Sequence, residues 1–254
     1  ADLSLPGVQA RLVDEVLATG TPTVVVLLNG RPFALGDLAE RAAAIVEAWF
    51  PGQDGAAAVA DVLVGAAEPC GRTTLTFSRG AGVQPWTYDH KWLAPGFPRL
   101  PDVDPVFPFG HGLSYTTFTY DELEIAPPEV PVDGAFSVSC TVTNAGTRPG
   151  DEVVQLYLGD PVASVTRPVR ELKGFARVPL APGAAARVTF EVPVEVMAFT
   201  GVDLRRIVEP GALTVEVGAS SADVRLQGSV EVVGDVRSVG EDRALTSGVV
   251  VAPI

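Results

Sequence analysis

The chain has 254 residues, 47% of them apolar and 19% charged, which is enough to bury a sizeable core. Its formal net charge is −13, with acidic residues spread along the sequence, and this argues against nucleic acid or an anionic membrane as partner. No apolar run approaches the ~18 residues of a membrane-spanning helix. These bounds leave a globular protein of one or two domains.

The first half of the sequence alternates helical and strand patterns. Pro6 suits the first turn of a helix over 7–18. The later elements predicted here are a strand over 23–28, a helix over 37–43, a strand over 45–50 and a helix over 56–64. Continuous runs of branched apolar residues are typical of strands buried on both faces. Helices alternating with such strands predict an α/β domain with an open, mostly parallel sheet.

Residues 66–106 form a long irregular segment, because its six prolines exclude long regular elements. Long loops rich in aromatic residues are often functional. We therefore predict that this loop is functional. Packing against a neighbouring domain is the alternative. The loop contains, close together in the sequence, Trp86, Tyr88, His90, Lys91 and Trp92.

The segment from Phe107 to Phe118, FPFGHGLSYTTF, connects the α/β part to an all-β part. Gly110 and Gly112 permit a positive φ or a close approach of two backbones. The residues from Ser114 onward favour a strand.

Short strand patterns continue after Phe118. Alternate apolar residues mark one of them: Phe136, Val138, Cys140 and Val142. Six or seven such strands at regular spacing predict a β-sandwich. We therefore expect an α/β domain over 1–125, an all-β domain over 126–234 and an unassigned tail over 235–254.

Cysteine and histidine usage predicts neither a metal site nor histidine catalysis. Cys70 and Cys140 are far apart in the chain, which favours two free thiols over a disulfide. Neither has a Cys or His at metal-ligand spacing, so no zinc site and no cofactor are expected. No nucleophile elbow accompanies His90 or His111, so neither is expected to be catalytic.

Eight segments occur in a fixed order along 1–233. They are LSLPGVQ (3–9), VVVLLNGRP (24–32), AWFPGQDG (48–55), ADVL (60–63) with Pro69, Gly71 and Arg72, FPFGHGLSYTTF (107–118), VTNAG (142–146), GDEVVQLY (150–157) and RELKGF (170–175). This ordered set resembles the C-terminal part of glycoside hydrolase family 3, the β-glucosidase and β-xylosidase family. His111 stands where the family commonly has Tyr.

The resemblance implies a three-part enzyme with a barrel, an α/β sandwich domain and a fibronectin type III-like β-sandwich. This chain would hold part of the second domain and all of the third. Retaining hydrolysis uses two carboxyl groups about 5 Å apart. In the family the nucleophile is an Asp of the barrel, and the acid/base Glu precedes the segment matched at 3–9. No catalytic residue is therefore assigned within this chain. In an enzyme of this kind the aromatic loop would line the edge of a sugar subsite, since aromatic faces stack well on sugar rings; its residues are Trp86, Tyr88, His90, Lys91 and Trp92.

The implied activity is that of a retaining, exo-acting β-glycosidase, most favourably a β-glucosidase acting on terminal β-D-glucosyl residues of an oligosaccharide or glucoside. The N-terminal barrel would be the packing partner of this chain. A β-xylosidase or another exo-glycosidase is the first alternative. A non-catalytic carbohydrate-binding or scaffolding fragment, or one chain of a split enzyme, is the second. No signal peptide is visible, so cytoplasmic and secreted locations both stay open.

Overall fold

The structure is a computed structural model that describes residues 2–80, 87–91 and 104–254. The chain divides into two compact units. The described residues of the first unit are 2–69, 73–80, 87 and 104–109; those of the second are 70–72, 88–91 and 110–254.

The first unit alternates helices and strands. Its elements are α1 (Gln9–Leu17), β1 (Val24–Leu27), α2 (Leu38–Arg41), β2 (Ala44–Glu47) and α3 (Gly55–Leu63). The two strands pair in parallel, with Val24 opposite Ala44 and Leu27 opposite Glu47. A small core forms around Leu27, Leu35, Leu38 and Phe77.

The prediction of an open, mostly parallel sheet is not supported. Within the described residues the first unit has one parallel pair of strands, and the sheets of the chain are largely antiparallel. An apolar run predicts a buried strand, but it does not fix how many neighbours the strand will have. The second strand also ends earlier than predicted, since Trp49 takes a φ of 50° and Pro51 follows.

The second unit consists almost entirely of strands. They are β3 (Phe118–Ala126), β4 (Glu129–Pro131), β5 (Ala135–Asn144), β6 (Gly150–Gly159), β7 (Glu171–Leu180), β8 (Ala185–Pro193), β9 (Phe199–Thr200), β10 (Arg206–Val208), β11 (Gly211–Gly218), β12 (Val224–Val233), β13 (Arg237–Ser238) and β14 (Gly248–Pro253). A short 3-10 helix, Val194–Met197, lies between β8 and β9.

These strands form two large sheets that share one core. The first has the order β4-β12-β11-β6-β7 and the second the order β14-β8-β5-β3, while β13-β10-β9 make a small third sheet. All pairings are antiparallel except that of β4 with β12. Buried side chains from both large sheets join one cluster, including Val138, Val154, Val188 and Val215. The predicted β-sandwich is thus confirmed.

The tail contributes a strand to the sandwich. β14 pairs antiparallel with β8, from Gly248 opposite Glu191 to Pro253 opposite Ala186. All six residues of β14 are exposed, so this strand widens the sheet by one edge strand without adding to the core. Among the described residues, no helix has both the length and the apolar character needed to cross a bilayer.

Candidate functional site

Three of the five residues predicted to contact sugar belong to a short segment of the second unit, 88–91. Trp86 and Trp92 lie outside the described residues. The hydroxyl of Tyr88 accepts a hydrogen bond from the Leu172 backbone N–H at 3.1 Å, and its ring meets that of Tyr157 edge-on at 5.8 Å. Burial raises the pKa of Tyr88. This tyrosine therefore packs on β6 and β7 of the sandwich.

His90 and Lys91 attach the same segment to the sandwich through their backbones. The carbonyl of His90 accepts a hydrogen bond from the Val169 N–H at 2.9 Å, and Lys91 forms an isolated antiparallel bridge with Pro168. The His90 Nδ1 atom lies 2.9 Å from the Lys91 carbonyl oxygen. The Lys91 side chain is exposed and lines a cavity of about 360 Å³.

The motif segment borders a second cavity, of about 420 Å³, which we call the motif cavity. Its charged and titratable lining residues are Arg72, His111, Glu152, Asp223 and Arg225. Arg72 Nη2 donates to Glu152 Oε1 at 2.8 Å, and both side chains are buried. This buried ion pair holds Arg72 against β6.

Arg72 and His111, which line the motif cavity, are both affected by burial. Arg72 Nε is buried without a hydrogen-bond partner among the described residues. Burial lowers the pKa of His111, and the positive charge of Arg72 lowers it further, against a smaller opposing effect of Asp223. His111 is therefore neutral at pH 7.

The two glycines of the motif are required for different reasons, as the sequence predicts. Gly110 has a φ of +80°, and a Cβ there would lie 2.1 Å from Gln155 Oε1. A Cβ on Gly112 would lie 2.2 Å from the carbonyl oxygen of Gly71. Gln155 Nε2 in turn donates to the carbonyl of Gly110 at 3.1 Å. The motif thus forms a tightly packed joint with β6.

Glu47 is a carboxyl group of interest that sequence reasoning missed. It ends β2 in the first unit, where the Trp49 N–H donates to its Oε1 at 3.0 Å and its Oε2 is buried without a partner among the described residues. Burial raises the pKa of Glu47, opposed by hydrogen bonding from Trp49 and Asn29. The sequence feature that could have identified Glu47 is an acidic residue inside the apolar run 45–50.

One carboxyl with a raised pKa does not make the two-carboxyl arrangement of retaining hydrolysis. Asp160, in the second unit, is the only other carboxyl in the described ranges whose pKa is raised. Burial is the main cause, and Asp160 pairs with Arg167 at 3.1 Å. The parts of the chain that the structure describes also contain no group of three His, Cys, Asp or Glu able to hold a metal ion. Cys70 and Cys140 are both free thiols, as predicted.

Comparison with known families and proteins gives matches in the order that the motifs predict. The model of the glycosyl hydrolase family 3 C-terminal domain matches residues 1–115, and that of the fibronectin type III-like domain matches 152–221. A β-xylosidase of Formosa agariphila is 43% identical over 225 residues, which cover 87% of this chain and 31% of the relative. The periplasmic β-glucosidase of Salmonella typhimurium is 40% identical over 243 residues, covering 91% and 31%.

Solved structures agree with these matches. The crystal structure of β-glucosidase from Listeria innocua in complex with glucose has a TM-score of 0.84 and 36% identity, covering 92% of this chain and 34% of that one. The chain therefore spans about a third of the length of the relatives it matches. Through its family 3 C-terminal domain and its fibronectin type III-like domain, the chain belongs to glycosyl hydrolase family 3.

Proposed function

We propose that this chain is the C-terminal portion of a retaining, exo-acting β-glycosidase that hydrolyses terminal β-D-glucosyl residues of oligosaccharides or glucosides. The observation that carries the proposal is the ordered match of both domains to β-glucosidases of which the chain spans about a third. The two catalytic carboxyl groups then lie outside this chain.

Exposed apolar side chains on the first unit indicate that a large partner packs there. Helix α1 packs against the small core through Val13 and Leu17, which are half-buried. Beside these residues lies an exposed apolar strip, which we call the outer face of α1: Val8 at the N-cap, Leu12 and Val16 are 74%, 62% and 39% exposed. A cluster of exposed apolar side chains of this kind marks an interaction surface. We propose that the rest of the enzyme, including its N-terminal barrel, covers this outer face of α1.

The domain limits and the substrate contacts belong to the same proposal. Residues 1–125 would be the C-terminal part of an α/β sandwich domain, whose sheet gains further strands in the whole enzyme. Residues 126–234 would be the fibronectin type III-like domain. Trp86, Tyr88, His90, Lys91 and Trp92 would line the edge of a sugar subsite, and the exposure of the Lys91 side chain supports this role.

A β-xylosidase is the second candidate. The observation that favours it is the 43% identity to the β-xylosidase of Formosa agariphila. Both candidates share the chemistry of two carboxyl groups, and they differ only in the sugar accepted.

A chimeric enzyme tests the proposal. The C-terminal region of the Salmonella typhimurium periplasmic β-glucosidase that matches this chain is replaced by the 254 residues described above. The matched control is the same enzyme truncated at the junction. We expect the chimera to release 4-nitrophenol from 4-nitrophenyl β-D-glucoside and the truncated control to be inactive. A folded, monodisperse chimera without turnover would contradict the proposal.

A further inference from the structure

Basic side chains line one cavity of the second unit, although the net charge of the chain is −13. We call it the cationic cavity; its volume is about 360 Å³. The cations that line it are Lys91, Arg167, Lys173, Arg206 and Arg243, and Glu171 is the only carboxylate among its described lining residues. Five of the 18 lysines and arginines of the chain therefore face one small space.

Arg167 is the fixed element of this cavity. Its side chain is 4% exposed, and its guanidinium donates to Asp160 Oδ2 and to the Met197 carbonyl, both at 3.1 Å. The guanidinium carbon also lies 4.3 Å from the centroid of the Phe199 ring. An arginine held on three sides keeps one orientation, so its charge is preorganised.

The carboxylate on the cavity wall is already engaged. Glu171 Oε2 lies 2.6 Å from Lys173 Nζ and 3.9 Å from Arg167 Nη2. Glu171 thus offsets the charge of Lys173, and Asp160 offsets that of Arg167. Neither carboxylate is within 4.0 Å of the other arginines that line the cavity.

Arg206 and Arg243 are the arginines that neither carboxylate offsets. Within the described residues neither has a carboxylate oxygen within 4.0 Å; Arg206 donates to Thr200 Oγ1 at 3.4 Å and Arg243 to the Gly240 carbonyl at 3.3 Å. Burial lowers the pKa of Arg167; the carboxylates of Asp160, Glu171 and Glu209 oppose this, and the nearby charge of Arg206 adds a smaller lowering effect. Each guanidinium has five N–H donors, so most of the donors of both arginines remain for another acceptor.

We propose that the cationic cavity binds an oxyanion, a carboxylate, sulfate or phosphate, held by Arg206 and Arg243 against the fixed charge of Arg167. Guanidinium groups match the planar or tetrahedral oxygens of such anions with paired hydrogen bonds. The apolar lining from Val196, Phe199 and Leu245 leaves room for the carbon skeleton of a larger ligand. The anion is either a free inorganic ion or the acidic group of a uronic acid. This proposal does not rest on the glycosidase activity, although Lys91 is common to the cavity and to the proposed sugar subsite.

Titration of the 254-residue chain at constant ionic strength tests the proposal. The probes are sodium glucuronate, sodium sulfate and sodium phosphate, with neutral glucose as the uncharged counterpart, and binding is followed by calorimetry. The variants are Arg206→Gln and Arg243→Gln. The matched control is Arg205→Gln, because the neighbouring Arg205 is exposed and pairs with Asp203 instead of lining the cavity.

We expect at least one oxyanion to bind, glucose not to bind, and each cavity variant to weaken binding about tenfold or more while Arg205→Gln leaves it unchanged. Binding of glucuronate but not of the inorganic anions identifies an acidic sugar as the ligand. Equal binding of inorganic anions identifies the free oxyanion. The proposal is overturned if no probe binds, or if binding is equally strong in variants whose unfolding temperature shows that they are folded.

Discussion

Arg72 and Glu152, 80 positions apart in the chain, form a 2.8 Å ion pair in which the two side chains are only 9% and 5% exposed. This pair joins residues 70–72, within the irregular segment, to the start of β6 in the second unit. Its Glu152 Oε1 also accepts a hydrogen bond from the Val153 N–H at 2.7 Å. The pair is therefore the clearest place to test how the motif cavity is held together.

Replacing one partner of this pair leaves the other charge buried and uncompensated. We expect Arg72→Met to lower the free energy of unfolding of the second unit by about 3 kcal/mol or more. The matched control is Arg177→Met, whose side chain is 61% exposed and pairs with Asp151 at 2.6 Å. That variant should cost about 1 kcal/mol or less. Urea unfolding measures both, and equal losses would contradict the prediction.

Asn144 makes four side-chain hydrogen bonds at the end of β5. Its Nδ2 donates to the carbonyls of Arg148 and Leu180, and its Oδ1 accepts from the Thr116 hydroxyl and the Gly146 N–H. We expect Asn144→Ala to lower the free energy of unfolding by about 2–4 kcal/mol, because several buried groups lose their partners. Thr143→Ala on the same strand is the control, with a loss of about 1 kcal/mol or less. Denaturation curves that coincide for the two variants would refute this.

The two thiols differ in burial. Cys140 is fully buried in the sandwich core, whereas Cys70 is half-buried. We expect a disulfide exchange reagent to label one thiol per native chain and two per chain in denaturant. Mass spectrometry of peptides should locate the native label on Cys70. Rapid labelling of both cysteines in the native chain would show that the core opens around Cys140.

Cys140 also makes stability depend on alkaline pH. Burial raises its pKa to about 11, above the ordinary value of 9.0. Below pH 9 the thiol is protonated in both states, so its contribution is fully present. As pH rises from 9 to 11 the unfolded chain ionises first, and about 2–3 kcal/mol of stability is lost. Cys140→Ala should therefore show a shallower fall in unfolding free energy over this window than the unchanged chain. Parallel slopes would contradict the prediction.

The outer face of α1 offers a test of the missing partner. Leu12 is 62% exposed in this chain, so we expect Leu12→Asp to change its unfolding temperature very little. In the chimera described above, the same substitution should strongly reduce turnover, because it buries a charge in the interface with the barrel. The control is Glu15→Gln on the same helix, where the residue is already polar and exposed. Loss of stability in the isolated chain, or full activity of the Leu12→Asp chimera, would oppose the proposed packing.

The sequence was most informative where a local pattern has one structural solution. The alternation of Phe136, Val138, Cys140 and Val142 predicts one buried face of a strand, and all four are buried in β5. The glycines at 110 and 112 are likewise explained by backbone conformation and close approach. The number and direction of neighbouring strands could not be predicted in this way, because an apolar run such as 23–28 does not encode how many strands lie beside it.

Sites built from residues that are far apart in the chain could not be predicted from the sequence. The cationic cavity combines residues 91, 167, 173, 206 and 243, which share no spacing and meet only after the strands have paired. The three valines of β14 illustrate another limit, since an apolar run predicts burial and these side chains are exposed at a sheet edge. Glu47 was missed because an acidic residue in an apolar run has no motif of its own.

The central claim is that the catalytic carboxyl groups lie outside this chain. The most direct measurement is the hydrolysis of 4-nitrophenyl β-D-glucoside and β-D-xyloside by the purified 254-residue chain, with circular dichroism confirming that the sample is folded. The account predicts no release of 4-nitrophenol above the buffer blank. Clear turnover that disappears on a single substitution within the chain, with Glu47→Gln as the first to try, would contradict it.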